Sequence, residues 1–93
     1  MNVNETLGAL ALDLRRAAQG YYKGSEKMAV RFSQEARARK KELENMDLKP
    51  YLQKLLSKLE DMFSEKDHKK LAEDALMYSV LFQNAAVKGK INM

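Results

Sequence analysis

The stretch ALMYSVLF, residues 75–82, constrains the fold more than any other. Seven of its eight residues are apolar, and no charge occurs from Ala75 through Val87. That charge-free run is shorter than the ~20 residues needed to cross a bilayer, so it reads as a buried helix. A helix at the corner of a soluble bundle buries a third to a half of its circumference. Here the inward stripe is Leu71, Ala75, Tyr78, Phe82 and Ala85. The opposite side starts polar, with Lys70, Glu73 and Asp74, and two turns later holds Met77, Val80 and Leu81. The same excess recurs in LGALAL, residues 7–12, where Gly8, Ala9 and Ala11 also admit a close neighbouring backbone.

The surrounding pattern predicts four helices. The first runs from about Asn4 to Tyr22 on a stripe of Leu7, Leu10, Leu14, Ala17 and Tyr21, with Asn2 or Asn4 as cap and Gly24 as a left-handed stop. Ser25 caps the second helix, whose stripe is Met28, Phe32, Ala36, Leu43 and Met46, with Arg39 where an apolar residue belongs. The short join at Lys23–Ser25 makes these two helices antiparallel neighbours. Pro50 opens a third helix running to about Phe63 on Leu52, Leu55, Leu56, Leu59, Met62 and Phe63. SEKD, residues 64–67, resembles a capping box that would start the fourth helix at Ser64, and Gly89 would end it near Lys88, leaving the tail Lys90–Met93 outside. The expectation is one all-α domain over residues 1–93, a four-helix up-and-down bundle. A three-helix arrangement or a helix-swapped dimer is the alternative.

Three short helices are few to enclose the fourth. Exposing side chains such as Met77, Val80 and Leu81 forgoes roughly 1.5–3 kcal/mol each relative to burial. The expected function is therefore a small interaction module. It would self-associate through Leu76, Met77, Val80 and Leu81 with Leu12 beside them, as a homo-oligomer or, failing that, against another protein.

The second reading is nucleic-acid binding through the basic second helix, with Arg31, Arg37, Arg39, Lys40 and Lys41 following a phosphate backbone. Against it, Glu35 and Glu44 stand four residues from Arg39 and Lys40, and no aromatic interleaves the residue 35–44 cluster to stack bases. The net charge of the whole chain is only +4.

Little chemistry is visible. The chain has no Cys and a single His, so thiol nucleophiles and thiolate metal sites are absent. Glu65 and His68 form one E-x-x-H pair, whereas a carboxylate-bridged dimetal bundle needs two such pairs and two further carboxylates. The adjacent pairs Glu60–Asp61 and Glu73–Asp74 diverge by about 100° on a helix and cannot share a proton. Hence no catalysis, metal or cofactor is expected. The lack of Cys fits a reducing, cytoplasmic setting. Glu5 and Asp13 interrupt any apolar leader, and no membrane partner is expected.

Overall fold

The computed structural model describes residues 2–91, with side chains described as far as Lys88. Five helices occupy them: α1 (Val3–Tyr22), α2 (Glu26–Glu44), α3 (Pro50–Ser57), α4 (Leu59–Phe63) and α5 (His68–Ile91). Helix α1 is central and packs against both α2 and α5. Helices α3 and α4 together form the third of the four legs of an up-and-down bundle. Leu56 and Ser57 lie by Glu44, Glu60 by Lys40 and Phe63 by Arg37, so this leg runs antiparallel to α2. Leu52 and Leu55 lie by Leu81, Asn84 and Ala85, so it is antiparallel to α5 as well. The four-leg topology closes within one chain, with no exchange of helices needed.

Local signals explain most boundaries. The Asn2 carboxamide oxygen accepts from the Glu5 backbone N–H at 2.8 Å, and its Nδ2 donates to Glu5 Oε1 at 3.0 Å, a reciprocal cap. At the other end of α1, Gly24 adopts φ +71°. The Ser25 N–H then donates to the Gly20 carbonyl at 2.8 Å, and the Gly24 N–H to the Tyr21 carbonyl at 3.2 Å. These are the two bonds of a Schellman stop. Ser25 at once caps α2 by accepting from the Met28 N–H.

Three features of the helix boundaries differ from expectation. The third leg breaks at Lys58, where the Ser57 hydroxyl donates to the Lys54 carbonyl at 2.6 Å and the Lys58 N–H to the Leu55 carbonyl. Such local bonding competes with the helical ladder and bends it. Ser64 does not cap α5; its hydroxyl donates back to the Glu60 carbonyl and closes α4. The cap is Asp67, whose Oδ1 accepts from the Lys69 and Lys70 N–H groups at 3.0 and 3.4 Å. Helix α5 also continues through Gly89 to Ile91, because glycine permits a left-handed stop without compelling one. Asn92 and Met93, in the expected tail, lie outside the described residues.

The core of the long helices is built from small side chains. Ala11, Ala17 and Ala18 of α1 are buried, as are Ala29 and Ala36 of α2 and Ala72, Ala75, Ser79 and Ala86 of α5. Leu7, Leu10, Leu14, Leu43 and Phe82 fill the space towards α3 and α4, which supply Leu52, Leu56, Leu59 and Met62. A close backbone approach occurs at Gly20, where a Cβ would stand 2.6 Å from the Ala29 backbone nitrogen. That contact rotates α2 relative to its expected stripe, seating Ala29 fully inside and leaving Met28 and Phe32 half-buried.

Gly20→Ala is expected to lower stability by about 2–3 kcal/mol, because backbone rather than a flexible side chain must move. Gly8, also helical, has open space where its Cβ would be. Gly8→Ala is therefore expected to raise stability by about 0.5–1 kcal/mol. Urea midpoints of the two variants against the parent check both signs.

Candidate interaction surface

Helix α5 presents its large apolar residues outward. Leu76, Met77, Val80 and Leu81 are 40%, 48%, 53% and 41% exposed, and Leu12 on α1 is 45% exposed. The inward positions are held by Leu71, Ala72, Ala75, Ser79, Phe82 and Ala86. Ser79 lies beside Ala11 and Leu12 of α1, and Ala85 beside Leu52 and Leu55 of α3, so the outward face lies away from the core and is covered by its own chain only at its edges. Leu12 joins it across a groove of about 230 Å³, lined also by Ala11, Arg15, Leu76, Ser79, Val80, Gln83 and Asn84. Ser79 lies at its floor, with its hydroxyl donating to the Leu76 carbonyl. Of the five residues singled out from the sequence, Leu12, Leu76 and Val80 line this groove, whereas Met77 and Leu81 are exposed on α5 outside it.

The face extends further than the sequence suggested. Val87, seven residues beyond Val80 and hence on the same side, is also exposed. The seven-residue spacing within the charge-free run was the available signal. On the other edge, Leu81 borders a second, larger groove of about 660 Å³ where the α1 N-terminus, Leu48, Tyr51, Leu52 and Leu55 meet Asn84, Ala85 and Lys88. This groove depends on where the α2–α3 loop crosses, which no local pattern encodes.

The exposed apolar area amounts to roughly 500 Å² if each side chain keeps its exposed fraction, near the top of what monomers leave uncovered. A standard interface covers about 800 Å² per partner. Arg15, Glu73, Gln83, Asn84 and Lys88 ring the patch and are of the polar kind that completes such an interface.

The basic helix has a different arrangement. Lys40 is buried, only 6% exposed, and its Nζ bridges Glu44 at 3.2 Å and Glu60 at 3.0 Å. The sequence placed Arg39 at the interior position, but Lys40 occupies it, its aliphatic stem inside and its ammonium at the edge. Arg39 pairs with Glu42 at 3.2 Å and approaches Asp13 at 3.9 Å. The Arg37 guanidinium lies 4.5 Å from the Phe63 ring centroid, and that of Arg31 5.4 Å from Phe32. Lys41 is exposed. The structure therefore uses much of the cluster to tie α2 to α1, α4 and its own side chains.

Electrostatics follow from these pairs. Burial pushes Lys40 toward the neutral form, but its bonds to Glu60 and Glu44 outweigh this and raise its pKa above 10.5. The Lys40 ammonium holds the Glu60 carboxyl below the ordinary 4.5. Burial raises Asp13, only partly offset by Arg39.

His68 is exposed and its ring stacks 5.0 Å from that of Tyr21. Glu65 turns instead to the Asp67 N–H and to Lys70. Among the described residues no three His, Asp or Glu side chains converge to hold a metal ion. Nor is any helix among them long and apolar enough to cross a membrane. Comparisons with known protein families, with curated proteins and with solved structures each returned no match.

A carboxyl whose pKa is lowered by folding stabilises the fold above its unfolded value and loses that contribution as pH falls through the folded one. The Lys40–Glu60 pair is therefore expected to contribute fully near neutral pH and to fade below about pH 4.5. Lys40→Met keeps the stem and removes the charge. Denaturation midpoints at pH 7 and pH 3 are expected to differ less in this variant than in the parent, and an equal difference would remove the bridge from the account.

Proposed function

We propose that this protein is a self-associating interaction module, working in a cytoplasmic setting as a dimer or higher assembly, that joins copies through the outward face of α5 with Leu12 at its margin. One observation carries the reading: besides Leu71 and Phe82, α5 buries only alanines and a serine, and it leaves Leu76, Met77, Val80, Leu81 and Val87 outside. A helix serving only its own bundle carries polar residues at those outer positions. Contiguous apolar patches of this size on soluble chains mark contact surfaces, and a two-fold dimer is the simplest closed assembly.

A second copy is favoured over an unrelated protein because the face is partly self-complementary: it carries Glu73 and Asp74 next to Lys70, which is paired with Glu65, at one end and Lys88 at the other, with the apolar zone between. No catalytic role, metal or cofactor is proposed. Duplex binding through α2 is not preferred, because Arg39 and Lys40 are ion-paired and Arg37 lies over Phe63.

Light scattering across a concentration series is expected to show the mass rising from 10.7 kDa towards at least double. Val80→Asp and Leu81→Asp are expected to remain monomeric throughout, with helical circular dichroism unchanged, since neither position belongs to the core. A parent chain that stays monomeric at every concentration would end the proposal.

A further inference from the structure

If copies associate through this face, its residue order also fixes how they meet. We infer that two α5 helices pair antiparallel about a two-fold axis between Val80 and Leu81, placing Glu73 of each chain against Lys88 of the other.

The outward side of α5 starts with Lys69 and Lys70, the latter 3.7 Å from Glu65, and then carries Glu73, Met77, Val80, Asn84, Val87 and Lys88, all exposed, with Leu76 on the α1 edge and Leu81 on the α3 edge. At about 3.6 residues per turn, Glu73 and Lys88 lie some four turns apart on one side of the helix, about 22 Å from each other. Their midpoint falls between Val80 and Leu81. Reversing one helix about that point sets Val80 against the partner's Leu81 and Met77 against the partner's Asn84. At both ends it brings a carboxylate to an ammonium. A parallel pairing would instead oppose Glu73 to its own copy and Lys88 to its own copy. Like charges across an interface cost affinity and select against that register. The antiparallel arrangement thus has an apolar centre and a charged rim, the usual distribution in a protein contact.

The absence of cysteine from the sequence makes the geometry directly testable. Near the axis, helices packed about 8–10 Å apart bring the two residue-80 Cα atoms to roughly 5–6 Å, within disulfide reach. Residue 87 lies about 10 Å along the helix from the axis, so its two copies are about 20 Å apart and cannot bridge. Val80→Cys is therefore expected to form a covalent dimer on mild oxidation at least tenfold faster than Val87→Cys. A mixture of Glu73→Cys and Lys88→Cys chains is expected to yield the mixed dimer in preference to either homodimer. Val87→Cys cross-linking as readily as Val80→Cys would indicate parallel helices and overturn the inference. A dimer by light scattering with no bridge at Val80→Cys would overturn the pairing while leaving self-association standing. A monomer by light scattering would overturn both.

Discussion

The architecture depends on how closely α1 is approached by its two neighbours. At Gly20 the backbones of α1 and α2 come so near that no side chain fits between them. On the other flank, α1 packs against α5, and Ala11, Ala18, Ala72, Ala75, Ser79 and Ala86 of these two helices are buried. Small residues bury little area each, so such contacts derive their stability from close packing along the helix rather than from individual large side chains. The bulky residues of the core are concentrated towards α3 and α4, which seal one side of the three long helices.

That choice has a consequence for α5. The inward side of α5 is filled by Leu71, Phe82 and small residues, which leaves its other large apolar residues no inward position. Leu76, Met77, Val80, Leu81 and Val87 therefore stand outside. The apolar content of α5 exceeds what its own bundle can cover, and the excess forms one continuous face. Function is then a matter of what covers that face, and the charges at its two ends bear on the answer because they match when one copy is reversed.

The ionic arrangement on the other side of the molecule serves the fold. Lys40 reaches from α2 to Glu60 on α4, and Arg39 towards Asp13 on α1. Two cations that read as a solvated stripe thus lie between helices. Linear sequence shows their partners at i+3 and i+4, whereas Asp13 and Glu60 are 26 and 20 residues away and become partners only once the bundle closes.

The sequence by itself determined the helical class, the antiparallel turn at Gly24–Ser25, the start of α3 at Pro50 and the apolar outer face of α5. Each follows from short-range rules: backbone freedom at glycine, a fixed φ at proline, capping geometry and helical periodicity. Competing local bonds decided the finer boundaries, since Ser57 and Ser64 donate back to their own helices and Asp67 is better placed to cap α5. Tertiary structure alone decided the rotation of α2 that seats Ala29 on Gly20, the burial of Lys40 and the groove bounded by Leu81 and the α2–α3 loop. These depend on distances between residues far apart in the chain, and such distances exist only after the helices have packed.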